Sequence, residues 1–280
     1  MRRAAPRIGA AACVALLAAV PLVVSPAAAY ASVRTAATKK PPTGEIRVVM
    51  VYAPPDGSSP SIVVTDDTAA TSPSARKSRK KPTSLLTAGF GDVTDFTKVP
   101  AGHTLRLAPS DATDPNTGIF IDPLKKGDEL TLVPYATDTD PDQSGLQMLT
   151  IVEHGKRRDA GDVAEWPQVD SSKATLMYFA GGLLSVVDSF GGFVVTPGTG
   201  CLESTDADAQ DTGVGGNIPA YYTVDGGSVD VGVADTGGCT GPVVIGPETV
   251  DATAGARVVL IPYGKSTSDL QLLVLPVATP

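Results

Sequence analysis

Short runs of alternating apolar and polar residues follow one another along most of the chain, and turns rich in Gly, Pro and Asp separate them. Leu105 and Leu107 occupy one face of such a run, and Val229, Val231 and Val233 occupy one face of another. Alternation of this kind is typical of a strand with one face in a core and the other in water. Two antiparallel sheets packed face to face bury such strands economically. The pattern therefore predicts an all-β sandwich fold.

Three sequence blocks recur in the same order, at offsets of 127, 125 and 128 residues. Met50 to Ala53 is matched by Met177 to Ala180, Gly91 to Val99 by Gly216 to Val224, and Gly127 to Tyr135 by Gly255 to Tyr263. Ordered blocks at nearly constant offset favour an internal repeat over chance similarity between Val-rich segments. We therefore predict two tandem immunoglobulin-like antiparallel β-sandwich domains, at residues 44–153 and 173–280, with a connector at 154–172.

The composition agrees with this fold class. The chain has 29 Gly and 24 Pro but only one Trp, which is typical of short strands joined by many turns. Pro134 and Pro262 fall in the third block of each copy. We predict that each lies at a strand end, where a missing N–H is tolerated.

The first residues have the three parts of a secretory signal peptide. Arg2, Arg3 and Arg7 form a positive region, an apolar stretch spans residues 8–24, and small residues follow. We predict that residues 1–31 are a signal peptide cleaved after Ala29 or Ala31, and that residues 32–43 are a linker. A retained membrane anchor is the alternative, but Pro21 interrupts the apolar stretch and no second long apolar run follows. The mature chain is therefore predicted to be secreted or extracytoplasmic, without a transmembrane anchor.

The mature chain is predicted to be acidic. The whole sequence has a formal net charge of −8, and loss of the three arginines of the signal peptide makes it −11. An acidic surface disfavours nucleic acid and anionic membrane as bulk partners, and it favours a chain that stays soluble.

Two cysteines remain once the signal peptide and its Cys13 are removed, namely Cys201 and Cys239. In an oxidising compartment two such residues most simply form a disulfide. The chain-entropy model gives a loop of this length about 4 kcal/mol of stabilisation. A metal-binding or nucleophilic pair is the alternative, which neither a neighbouring His nor a CxxC spacing supports.

Four segments of the first copy carry a family resemblance. They are IRVVMVYAP at residues 46–54, GFGDVTDF at 89–96, VPAG at 99–102 and KGDELTLV at 126–133. Together they resemble the domain-of-unknown-function 4397 family, which comprises exported bacterial β-sandwich domains that often occur in tandem. The second copy resembles the family only through the internal repeat, because Asp225-Gly226-Gly227 replaces Pro-Ala-Gly there. The resemblance implies a fold and an extracytoplasmic location, and it implies no catalytic residue.

A dense basic segment lies in a Ser/Thr/Pro-rich insertion of the first copy. Its charged residues are Arg76, Lys77, Arg79, Lys80 and Lys81. In an acidic protein this segment is a candidate polyanion-binding loop for an anionic cell-wall polymer. A protease-sensitive site and a solvated loop without a binding role are the alternatives.

Asp138, Asp140 and Asp142 alternate in a way that suggests calcium ligands. An EF-hand loop requires Gly at its sixth position and Glu at its twelfth, but those positions hold Gln143 and Leu149. Asp is also common in turns for ordinary backbone reasons. These residues are therefore weak calcium candidates, and we expect no cofactor.

His103 and His154 are the only histidines, and Trp166 is the only tryptophan. Neither a Gly-x-Ser-x-Gly elbow nor an HExxH motif is present in the sequence. Structural or solvent-exposed histidines are therefore favoured, although a Ser-His-Asp triad forms in space and leaves no fixed sequence pattern. Trp166 lies in the connector, where burial between two domains is favoured over contact with a sugar.

The sequence as a whole indicates a non-catalytic binding or structural module of the cell envelope. Its predicted partner is a cell-wall polymer or a surface glycan or protein, and not nucleic acid. The alternative is a secreted hydrolase or carbohydrate-active protein with a site built from loops. Fold class does not decide between them, because one fold hosts many functions.

Overall fold

A computed structural model describes the chain from residue 41 onward, with gaps. The described residues are 41–54, 56, 58, 60–68, 82–113, 117–137, 145–155, 163–164, 166–167, 171–183, 186, 193–196, 200–204, 219–234 and 242–277. Strands dominate these residues, and the all-β prediction is confirmed. The predicted signal peptide lies outside them and stays a prediction.

The first half of the structure contains two sheets. Its strands are β1 (Thr43–Val48), β2 (Ile62–Asp66), β3 (Thr83–Ala88), β4 (Thr97–Pro100), β5 (Leu105–Pro109), β6 (Ile119–Ile121), β7 (Glu129–Ala136), β8 (Leu146–His154) and β9 (Val163–Ala164). The first inner sheet has the order β4-β1-β7-β8-β9, and the first outer sheet has the order β3-β2-β5-β6. Neighbouring strands are antiparallel except in the pairs β1–β7 and β8–β9.

The second half also contains two sheets. Its strands are β10 (Lys173–Tyr178), β11 (Phe193–Thr196), β12 (Gly200–Cys201), β13 (Glu203–Ser204), β14 (Ala220–Asp225), β15 (Gly227–Ala234), β16 (Val243–Ala252), β17 (Arg257–Tyr263) and β18 (Gln271–Val277), and a 3-10 helix spans Ala180–Leu183. The second inner sheet has the order β13-β14-β10-β17-β18, and the second outer sheet has the order β12-β11-β15-β16.

The strand order of the second half follows that of the first. β10, β14, β17 and β18 hold the places that β1, β4, β7 and β8 hold in the first inner sheet. The first strand of each half pairs parallel with the same later strand, β1 with β7 and β10 with β17. The outer sheets correspond in the same way, with β11 and β15 in the places of β2 and β5.

The strand pairing corrects the register of the first sequence block. Ile46 lies opposite Leu130, and Leu176 lies opposite Val258. The third block matches Leu130 with Val258, so the strand pairing makes Leu176 the counterpart of Ile46. The match of the Met50 block would place the counterpart of Ile46 three residues earlier in the sequence. Met50 packs in the core of the first half, whereas Met177 faces the other side of its sheet. The match of Met50 to Ala53 with Met177 to Ala180 is therefore wrong.

Each pair of sheets encloses a core of its own. In the first half, β1, β2, β5 and β7 contribute fully buried side chains, among them Ile46, Val48, Ile62, Val64, Leu105, Leu107, Leu130 and Leu132. In the second half, the corresponding strands contribute Leu176, Tyr178, Val194, Val231, Val233, Val258 and Leu260. The predicted inward positions in the runs at Leu105 and Val231 are confirmed, because Leu105 and Leu107 belong to the first core and Val231 and Val233 to the second.

A third apolar cluster lies between the two inner sheets. Its members are Val49, Val51, Val133, Tyr135, Leu149 and Ile151 from the first half and Met177, Phe179, Val259, Ile261, Leu275 and Val277 from the second. All are buried, and the rings of Tyr135 and Phe179 meet edge to face with centroids 5.1 Å apart, a geometry that aromatic pairs prefer. This shared cluster joins the halves into one folded unit.

The central strands of the inner sheets, β7 and β17, are therefore buried on both faces. In β7 every residue from Leu130 to Ala136 is buried, and in β17 every residue from Val258 to Pro262 is buried. The alternation that predicts one face in water for other strands therefore does not describe these two. Their nearly continuous apolar sequence is the pattern of strands covered on both sides.

Pro134 and Pro262 lie inside β7 and β17, so the prediction that they lie at strand ends is wrong. The Val49 N–H donates to the Leu132 carbonyl at 2.9 Å, and β1 pairs with β7 no further. Backbone groups two residues apart on a strand point to the same side. The Pro134 nitrogen therefore points to the side of β7 on which β1 lies, but beyond the last residue of β1, where no carbonyl of β1 needs a donor. The same holds at Pro262, two residues past Leu260, and neither proline interrupts a ladder.

Truncation of Phe179 tests the shared cluster. The side chain is fully buried, and we expect Phe179→Ala to lower the free energy of unfolding by about 3–5 kcal/mol, because it leaves a cavity between the sheets. Phe120 on β6 is 53% exposed and is the matched control, for which Phe120→Ala should change that free energy by less than about 0.5 kcal/mol. Urea denaturation measures both variants, and equal losses would contradict this assignment.

Candidate functional site

Most of the predicted site residues lie outside the described residues. These are Arg76, Lys77, Arg79, Lys80 and Lys81 of the candidate polyanion-binding loop, the weak calcium candidates Asp138, Asp140 and Asp142, and Cys239. Cys201 lies in β12 and is exposed, and its disulfide with Cys239 stays a prediction. Both histidines and Trp166 are described.

One end of the first half collects both histidines. β2 ends there at Asp66, opposite Leu105 of β5. β8 ends there at His154, opposite Glu129 of β7. We call this the proximal end, and its strand ends and turns are Thr43, Asp66, Thr83, 100–105, 122–128 and His154.

His103 forms a hydrogen-bonded pair with Asp66 at the proximal end. Its Nδ1 atom lies 2.7 Å from Asp66 Oδ2. The ring belongs to the turn between β4 and β5, where Gly102 adopts a φ of 83° and its N–H donates to the Leu124 carbonyl at 2.8 Å. The side chains of His103 and Asp66 are 36% and 20% exposed, so the pair is open to solvent.

An ion pair lies beside this hydrogen-bonded pair and holds β2 against β5. Asp67 Oδ2 lies 3.0 Å from Arg106 Nε, and the Asp67 residue is buried. Thr65 Oγ1 donates to Asp67 Oδ1 at 3.3 Å. The Asp67 N–H donates to the Thr104 carbonyl, and the Thr104 N–H donates to Thr68 Oγ1, each at 2.9 Å. These bonds fix the backbone on which Asp66 and its partner sit.

Asp66 is held in its charged form. Burial of its carboxyl disfavours the charge and raises the pKa, but the bond with His103 and the bonds from Thr68 act more strongly in the other direction. The Thr68 N–H, for example, donates to Asp66 Oδ1 at 3.1 Å. The net result is a pKa of Asp66 below its usual value, because hydrogen bonds to a carboxylate favour its ionised form.

His154 makes a weaker contact. Its Nδ1 atom lies 3.6 Å from Glu129 Oε2, and the two side chains are 45% and 36% exposed. Exposed pairs at this separation contribute little to stability. The structure thus places His154 in solvent, as the sequence pattern favoured.

The Asp66–His103 pair shares one feature with catalytic triads. A carboxylate bound to Nδ1 is the group that orients the histidine base in a triad, and a triad also needs a hydroxyl or thiol at the base. Within the described ranges, no Ser, Thr or Cys side chain is hydrogen-bonded to His103, and the same residues contain no cluster of His, Cys, Asp and Glu able to hold a metal ion. What these residues form is a hydrogen-bonded pair that is open to solvent.

A second charged group lies at the margin of the shared cluster. Arg47 Nη2 lies 2.5 Å from Glu153 Oε1, whose side chain is 2% exposed. Arg47 Nε donates to Thr131 Oγ1 at 2.7 Å, and the Thr131 hydroxyl donates to Glu153. Arg47 also donates to the Pro276 carbonyl of the other half at 3.3 Å and lies over the ring of Phe96. In the sequence, this group is indicated only by a charged residue in each of two largely apolar runs, Arg47 in the run of β1 and Glu153 in the run of β8.

Trp166 lies where the connector crosses from one half to the other. β9, just before it, pairs with β8 of the first inner sheet. The indole ring packs against the shared cluster, 6.0 Å from the Tyr221 ring and 5.4 Å from the Arg257 guanidinium. Trp166 is half-buried and packs against the cluster that both halves share. Its predicted full burial between the two halves stays a prediction.

No protein-family model matches this chain, and no curated protein sequence matches it. Within the part of the chain that the structure describes, no helix combines the length and the apolar character needed to cross a membrane.

The pH dependence of stability tests the Asp66–His103 pair. We expect Asp66→Asn to lower the free energy of unfolding at pH 7 by about 1 kcal/mol, the usual net contribution of such a bond. Because the pKa of Asp66 is depressed in the folded state, this contribution is present above the ordinary carboxyl pKa of about 3.9 and is lost as the pH falls through the folded-state value.

Urea denaturation of both chains in steps from pH 7 to pH 2 makes this measurement. The difference between the wild type and the Asn variant should shrink toward zero at the acid end. A difference that stays constant over the whole range would contradict the proposed stabilisation of the carboxylate.

Proposed function

We propose that the chain is a non-catalytic, extracytoplasmic binding or structural module made of two tandem immunoglobulin-like β-sandwiches. The observation that carries the proposal is the shared cluster, which uses the second face of each inner sheet to join the halves. Such an arrangement serves to hold two sandwiches in fixed relation. The matching strand orders of the two halves support the tandem reading, and the signal-like N-terminus supports export.

The motif resemblance to the domain-of-unknown-function 4397 family supports the same proposal. Segments that carry it border the first core, since Ile46 begins the buried part of β1 and Leu130 begins that of β7. The proposed disulfide between Cys201 and Cys239 belongs to an exported chain as well. It would link β12 to the connection after β15, and both strands belong to the second outer sheet.

The proposed partner is an anionic cell-wall polymer. β2 ends at Asp66 and β3 begins at Thr83, so the insertion with the basic residues 76–81 is attached at the proximal end. Lys125 and Lys126 lie exposed in a turn of that end. Positive groups gathered on an otherwise acidic chain favour a polyanion, because the local field attracts it even when the net charge does not.

The alternative is a secreted hydrolase or carbohydrate-active protein. The Asp66–His103 pair favours this alternative, because a carboxylate bound to the Nδ1 atom of a histidine is also found in catalytic triads. Turnover of an ester, peptide or glycoside substrate by the mature chain, abolished by His103→Gln, would establish this alternative and overturn the non-catalytic proposal.

Binding to isolated cell wall tests the proposed partner. We expect binding that weakens with salt, because polyanion contacts release counterions. Replacement of Arg76, Lys77, Arg79, Lys80 and Lys81 by Gln should weaken binding roughly tenfold or more at low salt. A variant with Arg and Lys exchanged at the same five positions keeps the charge and should bind as the wild type does. Equal binding by the Gln variant would contradict the role of this segment.

A further inference from the structure

We propose that Arg257 is the anion-binding group of a site for a sugar acid, and that Trp166 and Tyr221 form the aromatic wall of this site. The ligand that the site fits is a sugar ring with a single carboxylate. The site lies at the margin of the shared cluster and uses none of the basic residues 76–81, so it stands or falls independently of the proposed polymer contact.

Arg257 lies at one end of the shared cluster. It is the first residue of β17, opposite Val277 of β18. Side chains two residues apart on a strand share a face, so Arg257 lies on the face that contributes Val259 and Ile261 to the cluster. Its guanidinium lies over the indole ring of Trp166, 5.4 Å from the ring centroid. The residue is half-buried, so a ligand can reach it.

The guanidinium of Arg257 offers donors without an acceptor. A guanidinium has five N–H donors, and within the described part of the chain no carboxylate, carbonyl or hydroxyl is bonded to this one. The other two described arginines, Arg47 and Arg106, each pair with a buried carboxylate. Burial lowers the pKa of Arg257, because removal from water disfavours the charged form. A cation partly removed from water and left without an acceptor favours an incoming anion, and the fork of a guanidinium matches a carboxylate.

The aromatic neighbours of Arg257 supply donors and apolar surface. The Trp166 N–H is buried and has no acceptor among the described residues, so the polar contact to the ligand is assigned to Arg257. The rings of Trp166 and Tyr221 meet edge to face with centroids 6.0 Å apart, and both residues are half-buried. A few polar groups beside aromatic walls at the junction of two folded halves are the usual elements of a ligand site. Such rings pack against the C–H faces of a sugar ring, which favours a sugar acid.

Negative charge nearby limits the charge of the ligand. Carboxylates of the inner sheets lie at the same end as Arg257, namely Glu45, Glu129, Glu153 and Asp225. None of them lies within 4.0 Å of a nitrogen atom of Arg257. They repel an approaching anion in proportion to its own charge. A ligand with one carboxylate is therefore favoured over a polyanion.

Fluorescence of the exported chain tests the inference. Trp166 is the only tryptophan, so its emission reports on the site alone. We expect D-glucuronate to change this emission along a saturable titration curve. D-glucose has the same ring without the carboxylate and is the matched control, which should leave the emission unchanged at the same concentrations. Isothermal titration calorimetry measures the same binding without depending on the indole ring.

Substitutions assign the binding to Arg257. We expect Arg257→Gln to weaken glucuronate binding roughly tenfold or more, because a charge-assisted hydrogen bond is lost. Arg257→Lys keeps the charge but loses the planar fork, so its affinity should lie between those of the wild type and the Gln variant. Lys265 is the control, because its Nζ atom lies 5.0 Å from the ring centroid of Phe90 beyond the other end of β17. Lys265→Gln should bind as the wild type does.

Four outcomes would overturn the inference. The first is a wild type that does not bind glucuronate, and the second is an equal loss in Arg257→Gln and Lys265→Gln. Tighter binding of N-acetylalanine than of glucuronate would replace the sugar acid by the carboxyl terminus of a peptide. Binding that begins only after Glu165→Gln would show that the chain's own carboxylate serves Arg257. The first two leave the polymer partner of residues 76–81 untouched, and urea denaturation confirms that each variant is folded.

Discussion

Twelve apolar side chains packed between the two inner sheets are the contact on which the rest of the structure depends. Burial of one such side chain contributes about 1.5–3 kcal/mol, whereas a whole domain is stable by only about 5–15 kcal/mol. Separation of the halves would expose the entire cluster to water. The two halves are therefore expected to fold and persist together, and they are not expected to behave as independent domains on a flexible connector.

The polar groups at the margin of the shared cluster give it a defined geometry. Arg47 and Glu153 satisfy one another across β1 and β8, and Arg47 reaches the Pro276 carbonyl of the other half. A largely buried ion pair tolerates little displacement, because loss of one partner leaves a charge unpaired. With the central strands of the inner sheets buried on both faces, the strand ends and the outer sheets remain available for contact with a partner.

The strands with one wet face could be predicted from the sequence, and the inner strands could not. Leu105 and Val231 lie on runs whose polar alternate residues mark the outward side. β7 and β17 have no outward polar side. Without an alternating pattern, the sequence could not predict the register of the Met50 block or the position of Pro134 inside its strand. The Asp66–His103 pair joins residues 37 positions apart, and an Asp at a strand end is too common in turns to indicate its partner.

Calorimetry of the chain tests the central claim most directly. If the shared cluster makes the two halves one unit, thermal unfolding is a single transition whose calorimetric enthalpy equals its van't Hoff enthalpy. Two separate transitions, each with the enthalpy of one half, would contradict the account.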